Sequence, residues 1–233
     1  MPMTLATAVG SDDTGRLDQL PADLVAVFRR INAQNCPHLY NFHLHTTASD
    51  GQLSPETLVD QALDVGLIDF AITDHHSVEG YFAAQAWLSQ LDFPCKPRLW
   101  PGIEITATLL DVEVHILGYG FNPHHPGLAP YLQGTAPTGT AATAQRVIQQ
   151  LHQAGAITVL AHPARYKRPA TELIPAAAKL GIAGVETYYA YGNPRPWTPT
   201  SETMDLVGGF AQRFGLLETC GTDTHGLNIL QRI

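Results

Sequence analysis

Short apolar runs alternate with amphipathic segments along this chain of 233 residues. Apolar positions at helical spacing between Pro21 and Ile31 predict a first helix. After it, the chain repeats a unit in which a strand-like run is followed by a helix, and Ser54 and Pro55 are typical of a helix start. Gly155 is typical of a helix end. This alternation predicts an α/β fold with a mostly parallel sheet.

About seven runs have the composition of strands. Two of them, residues 98–106 and 112–120, have little sequence between them, which predicts a local antiparallel pair. Candidate metal ligands follow nearly every run, and only closure of the sheet would bring all those strand ends to one mouth. A closed barrel is therefore favoured over an open sheet. The Pro- and Gly-rich segments 122–140 and 193–199 are expected as loops over that mouth or beside it.

The composition fits one large domain, because a chain with 45% hydrophobic and 15% charged residues can bury a full core. We divide it into an N-terminal extension with one helix, residues 1–38, and a main domain, residues 39–233. Residues 1–20 are expected to be frayed. No run approaches the roughly 20 apolar residues of a membrane span, and no secretory signal is recognisable. We therefore expect a cytoplasmic protein.

The three cysteines, Cys36, Cys95 and Cys220, are odd in number and share no close spacing. Neither a disulfide framework nor a zinc knuckle is indicated by this pattern. We expect small buried side chains with reduced thiols.

The formal net charge of −8 argues against binding along a long nucleic acid, since such binding depends on Lys and Arg that neutralise phosphates. Three divalent ions would bring the charge to about −2 and would concentrate positive potential in one cleft. A small phosphorylated substrate is therefore easier to accommodate than a long polymer.

Nine side chains capable of binding metal stand where apolar runs give way to polar turns: His43, His45, Asp50, His75, Glu104, His115, His162, Asp223 and His225. One divalent ion has at most about six ligand positions, so this number of candidates indicates a multinuclear centre. Residues i and i+2 of a strand point to the same side. His43 and His45 can therefore face the mouth together, and Asp223 and His225 repeat that spacing.

The segments HLHTTASDG, ITDH, PGIEI, VHILGY, AHP and GTDTHG, in this order, resemble the polymerase and histidinol phosphatase (PHP) family. The resemblance covers roughly residues 40–226, and it is specific because order, neighbouring residues and spacing all agree. It implies a distorted seven-stranded (β/α)7 barrel of the PHP type. It also implies a stand-alone metal-dependent phosphoesterase that acts on nucleotides and short oligonucleotides.

The resemblance further implies two to three divalent ions, Mn, Fe or Zn, with Glu104 bridging. It assigns the candidate ligands to three ions as follows: His43, His45, Glu104 and Asp223; Asp50, His75 and His225; Glu104, His115 and His162. The expected nucleophile is a metal-bridged hydroxide held by Glu104, Asp223 and His225, because metal binding lowers the pKa of water to about 7.

Other polar residues beside these segments have less certain roles. Arg165 and Lys167 follow His162 and are expected to hold the substrate phosphate, with solvated loop charges as the alternative. Asp74 is expected to support an imidazole. Glu186 either orients ligands or touches substrate, or it is a salt-bridged structural acid.

The leading hypothesis is an enzyme that hydrolyses phosphomonoesters of nucleotides and acts on short oligonucleotides. One alternative is a histidinol phosphatase, which shares the metal site. Another is a non-catalytic metal-bound module that stabilises a partner. The complete set of candidate ligands favours an active enzyme.

Overall fold

The structure is a computed structural model that describes residues 20–233. The prediction of a frayed N-terminus concerns residues that lie almost entirely outside this range. Within it, seven strands form one sheet in chain order. Their bounds are β1 (Tyr40–Asn41), β2 (Asp69–Ile72), β3 (Arg98–Leu109), β4 (Val112–Tyr119), β5 (Ile157–Leu160), β6 (Gly184–Tyr188) and β7 (Leu217–Cys220).

The α-helices of the described residues are α1 (Ala22–Phe28), α2 (Pro55–Val65), α3 (Glu79–Gln90), α4 (Ala144–Gln153), α5 (Ala170–Lys179) and α6 (Ser201–Phe214). The predicted start of α2 is confirmed, because the Ser54 hydroxyl accepts a hydrogen bond of 3.2 Å from the Thr57 N–H. Gly155 follows the end of α4 with a φ of 87°. Two short 3-10 helices, Pro126–Tyr131 and Gly139–Ala142, lie in or beside the segment expected to be a loop.

The strands run parallel except at β4, which pairs antiparallel with both β3 and β5. The predicted antiparallel pair is therefore confirmed. Every strand other than β4 points in the same direction. Their C-terminal ends meet at one mouth, as in other parallel barrels.

The barrel closes between β7 and β1. The Phe42 N–H donates to the Cys220 carbonyl at 3.0 Å, and the Asp223 N–H donates to the His43 carbonyl at 2.8 Å. Gly221 lies at this seam, where a Cβ atom would collide with the Cβ and backbone of His43. With a first strand of only two residues, this is the distorted seven-stranded barrel that the sequence predicts.

The hydrophobic core has three parts. The largest packs α4, α5 and α6 onto the outside of the barrel, and a second lies under α2 and α3. The third joins α1 to the barrel interior, where the rings of Phe28 and Phe42 meet edge to face at 4.8 Å. Because Leu24 of α1 also lies beside Gly120 at the end of β4, the helix closes the barrel end opposite the mouth. The division into domains at residue 39 stays a prediction.

The expectation of three reduced cysteines is wrong for two of them. Cys36 and Cys220 form a disulfide with Cα atoms 6.3 Å apart, whereas Cys95 is exposed and free. The two residues are 184 positions apart, and only barrel closure brings the segment before β1 beside the end of β7. The bond fastens the N-terminal extension to the strand that leads to Asp223.

No helix among residues 20–233 has both the length and the apolar character needed to cross a membrane. The cytoplasmic location stays a prediction.

Candidate metal centre

Glu104 lies at the middle of the predicted ligands. Its Oε2 atom is 3.0 Å from Nε2 of both His43 and His45. Its Oε1 atom is 2.9 Å from Nδ1 of His115 and 3.3 Å from Nε2 of His162. The carboxylate is almost completely buried, so these imidazoles, from three segments of the chain, replace water around it.

The placement of Glu104 and His115 corrects the expectation that all candidates stand at strand ends. Glu104 lies within β3, which has 12 residues, and His115 lies within β4. Glu104 and Thr106 share one face of β3, and Thr106 pairs with His115 across the antiparallel ladder. The long hairpin therefore forms one wall of the mouth and presents both side chains to the same side.

A second group lies on the more exposed side of the mouth. Oδ2 of Asp50 is 3.1 Å from Nε2 of His225 and 3.9 Å from Nε2 of His75. Oδ1 of Asp50 is 3.5 Å from Nδ1 of His45. His45 thus connects this group to the buried cluster around Glu104.

The two carboxylate oxygens of Asp223 face different sets of partners. Oδ1 lies 3.4 Å from Nε2 of His43 and 3.3 Å from Nε2 of His45. Oδ2 accepts hydrogen bonds from Nη1 of Arg165 at 2.8 Å, from the hydroxyl of Tyr189 at 2.7 Å and from Nε of Arg232 at 2.8 Å. Only Oδ1 is therefore directed at the histidines.

Sequence reasoning missed Arg232. A turn near the C-terminus places it, because the Arg232 carbonyl accepts hydrogen bonds from the N–H groups of His225 and Gly226 at 2.6 and 3.2 Å. The short distance in sequence between Arg232 and Asp223 was the one available signal. This distance does not show where the Arg232 side chain points unless the turn is known.

The buried charges shift one another's pKa values. Burial alone would raise the pKa of Glu104 and Asp223, but the neighbouring imidazoles hold both well below the usual range. Burial also opposes a charge on His45, yet Asp223 and Glu104 raise its pKa to about 9. The pKa of His75 falls to about 4, chiefly because of burial. His45 would therefore have to lose a proton to serve as a metal ligand, whereas His75 is already neutral near pH 7.

The side chains fit divalent metal ions. Both ring nitrogens of His45 are buried, and although Nε2 lies 3.0 Å from Oε2 of Glu104, neither nitrogen has a contact with hydrogen-bond geometry, which is rare unless another group satisfies them. Imidazole and carboxylate ligands together suit Mn, Fe and Zn. Three overlapping groups have ligand atoms within 4.8 Å of one another: His45, Asp50, His75 and His225; His43, Glu104, His162 and Asp223; His75, Glu104 and His115.

These groups contain all nine predicted ligands, but they divide the ligands differently from the assignment that the family resemblance implies. His45 joins the group of Asp50, and His162 joins that of His43. The distances from His45 to Glu104 and Asp223 keep it within reach of the predicted set as well. The overlap indicates shared ligands, with Glu104 common to two groups.

The backbone is strained at the centre. His162, Asp223 and His76 have φ values of 23°, 54° and 52°. Left-handed conformations of such residues concentrate at functional sites, where surrounding contacts hold them in place. His76 is buried, its Nε2 lies 3.1 Å from the Thr106 hydroxyl, and it belongs to none of the three groups.

Asp74 does not have the expected role. Its carboxylate accepts hydrogen bonds of 2.7 Å from the Thr46 N–H, the Thr46 hydroxyl and the Ser49 hydroxyl. These bonds brace the turn that carries Asp50. Among the described contacts of Asp74, none is to an imidazole.

A cavity of about 280 Å³ opens onto the candidate ligands, and its wall also includes Glu113, Arg165, Tyr166 and Arg232. A smaller cavity of about 120 Å³ shares Arg165 and Arg232 with it. Lys167 is exposed and lines neither cavity. The two guanidinium groups therefore stand between the two cavities.

Comparison with known proteins agrees with this geometry. The model of the PHP domain family matches residues 41–194. The chain belongs to the PHP domain family.

Two characterised relatives share part of the sequence. The 5'-3' exoribonuclease Rnm of Escherichia coli (strain K12) is 30% identical over 188 residues, which cover 72% of this chain and 61% of that protein. A 3',5'-nucleoside bisphosphate phosphatase of Chromobacterium violaceum is 31% identical over 93 residues, 40% of this chain and 31% of that protein. The chain thus spans less than two thirds of the length of the relatives it matches.

A solved structure from Bifidobacterium adolescentis, described as a candidate metal-dependent phosphoesterase, has the same fold. Its TM-score is 0.65 at 23% identity, over 80% of this chain and 87% of that one.

Proposed function

We propose that this chain is a metal-dependent phosphoesterase that hydrolyses phosphomonoesters of nucleotides and the terminal phosphodiester of short oligonucleotides. The observation that carries the proposal is the convergence of nine metal-capable side chains, with Glu104 at their middle, beside two guanidinium groups on one cavity. Phosphoryl transfer depends mainly on positioning and on stabilising negative charge, and this combination supplies both.

The metal ligands in this proposal are the nine side chains predicted from the sequence, holding two to three Mn, Fe or Zn ions with Glu104 shared. When bound, such ions supply Lewis acidity and lower the pKa of a coordinated water. The protein holds Glu104 and Asp223 ionised and excludes water from around His43 and His45. Glu104, Asp223 and His225 are the residues proposed to hold the nucleophilic water.

Arg165 and Arg232 are proposed to bind the substrate phosphate. A guanidinium has five N–H donors. The described bonds to Asp223 and Tyr189 leave further N–H donors on both Arg165 and Arg232 that can bind substrate. Charge-assisted hydrogen bonds of this kind suit phosphate oxygens. Lys167 was the second cation expected from the sequence, but Arg232 is better placed because it lines the cavity.

The size and charge of the site favour small substrates. A cavity of about 280 Å³ is at the small end for ligand pockets, and the chain has a net charge of −8. The net negative charge would disfavour binding of a long duplex. The names of the Escherichia coli and Chromobacterium violaceum relatives support nucleotides and RNA ends as the first compounds to examine.

A phosphate-release screen with manganese-loaded protein tests the proposal. The panel comprises nucleoside monophosphates, 3',5'-bisphosphorylated nucleotides, 5'-phosphorylated trinucleotides, sugar phosphates and histidinol phosphate. We expect the nucleotide compounds to be hydrolysed by the wild type and by the exposed control Asp111→Asn, but not by Glu104→Gln. A preference for histidinol phosphate would favour the alternative phosphatase. No release from any compound by a fully metal-loaded chain would favour the non-catalytic module.

A further inference from the structure

Glu186 contacts two candidate ligands that come from different parts of the barrel. His43 follows β1 and His162 follows β5, whereas Glu186 lies in β6. The Glu186 side chain is fully buried and belongs to none of the metal-capable groups found in the described residues. Glu186 therefore contacts these ligands on the side that faces away from the candidate metal positions.

The first contact involves the ring of His43. Oε1 of Glu186 lies 2.9 Å from Nδ1 of His43, while Nε2 of the same ring faces Glu104 and Asp223. An Nδ1–H that donates to the carboxylate leaves the lone pair of Nε2 for a metal ion. A carboxylate behind a ligating histidine fixes its tautomer and ring orientation in this way.

The second contact involves the backbone of His162. Oε2 of Glu186 accepts a hydrogen bond of 2.8 Å from the His162 N–H. This residue has a φ of 23°, and Nδ1 of its ring is buried without a partner. The orientation of the His162 ring therefore depends on the main chain of this residue, which Glu186 holds in an unfavourable conformation.

The local structure of β6 explains how one carboxylate reaches both residues. The register between β6 and β7 shifts between Glu186 and Tyr188. An irregularity of this kind bends a strand and redirects its side chains. Glu186 thus points into the barrel, where both oxygens meet an N–H donor.

We propose that Glu186 is a positioning residue that holds two metal-ligating histidines of one group at once, so that its loss weakens the ion position these histidines share without removing a ligand. The inference rests on the proposed metal site. It does not depend on which ester is hydrolysed, since metal binding itself is measured.

The test is a manganese titration of Glu186→Gln in which free Mn²⁺ is followed by electron paramagnetic resonance. The amide has one acceptor oxygen where the carboxylate has two, so it can serve His43 or His162 but not both. We expect affinity at the position that His43 and His162 share to fall by about 10- to 100-fold, the effect typical of groups that hydrogen-bond metal ligands. Saturating manganese should restore turnover, with KM for the substrate unchanged.

Two further variants make the result decisive. Glu218→Gln removes the same charge from β7, where the carboxylate faces Gly208 of α6, and should leave every affinity unchanged. Glu186→Asp keeps both oxygens and the charge, and its affinities should lie between those of wild type and Glu186→Gln. Unchanged affinity in Glu186→Gln, an equal loss at every position, or an Asp variant no better than the Gln variant would each overturn the inference. Normal metal binding by wild type without phosphate release would instead contradict the proposed function alone.

Discussion

Arg232 donates a hydrogen bond of 2.8 Å from Nε to Oδ2 of Asp223. Arg165 and Tyr189 donate to the same oxygen, so Asp223 has one oxygen directed at His43 and His45 and another held by three donors. The carboxylate is thereby oriented from outside the metal centre. The same arrangement places both guanidinium groups beside the cavity, where a phosphate would compete for their remaining donors.

Replacing Arg165 with Ala should destabilise the transition state, raising its free energy by about 1.5 to 3 kcal/mol, the value typical of a charge-assisted hydrogen bond. The measurement is kcat/KM on the best nucleotide substrate, with metal content determined in parallel and expected to stay constant. Lys167→Ala is the matched control because it removes a neighbouring positive charge that lines neither cavity. Equal losses in the two variants would mean that only the overall charge matters.

The adjacent residues His75 and His76 should behave differently. His75 lies 3.5 Å from Glu104 through Nε2, whereas Nε2 of His76 faces the Thr106 hydroxyl. We expect His75→Ala to lose one metal equivalent and nearly all activity. His76→Ala should keep the metal content and change substrate affinity at most. Elemental analysis of the two variants shows which histidine is a ligand. The opposite pattern would show that the assignment of the ligands is shifted by one residue.

Much of this site could be predicted because each ligand lies in a short, recognisable segment of the sequence. A histidine after an apolar run or an HxH pair is visible in the sequence, and the order of the segments matches one family. Glu104 and His115 were identified as candidates, and the runs predicted as strands already contain both, although every candidate was expected at a strand end. The first strand of the hairpin extends to Leu109, beyond its predicted run, whereas the second ends at Tyr119, one residue before its predicted end.

Features that depend on distant parts of the chain could not be predicted. Arg232 reaches Asp223 through a turn, and the disulfide joins residues 184 positions apart. The role of Glu186 was left open between orienting ligands and a structural ion pair. Only the hydrogen bonds in the folded chain show which donors its two oxygens meet.

Gly221→Ala should destabilise the barrel seam. A methyl group there meets the backbone and Cβ of His43, which cannot move without opening the closure between β7 and β1. We expect the free energy of unfolding to fall by about 1 to 3 kcal/mol, as in overpacked sites. Gly209→Ala in α6 is the control, since nothing lies within 4 Å of its added methyl group. Urea unfolding of both variants tests this, and equal stability would contradict the role of Gly221.

The Cys36–Cys220 disulfide predicts a defined thiol count and a redox-dependent stability. A chain denatured without reductant should show one reactive thiol, that of Cys95. Reduction should lower the free energy of unfolding by about 2 to 4 kcal/mol, because it frees a long loop in the unfolded chain. Cys95→Ser protein gives the same comparison without the exposed thiol. Three reactive thiols in freshly purified, denatured protein would contradict the bond.

The metal content of the wild-type chain tests the central claim most directly. Protein purified without chelator and reconstituted with manganese should contain two to three equivalents of transition metal per chain, because nine ligands exceed the roughly six positions of one ion. Elemental analysis after removal of free metal gives the number. One equivalent or less after reconstitution would contradict a multinuclear centre.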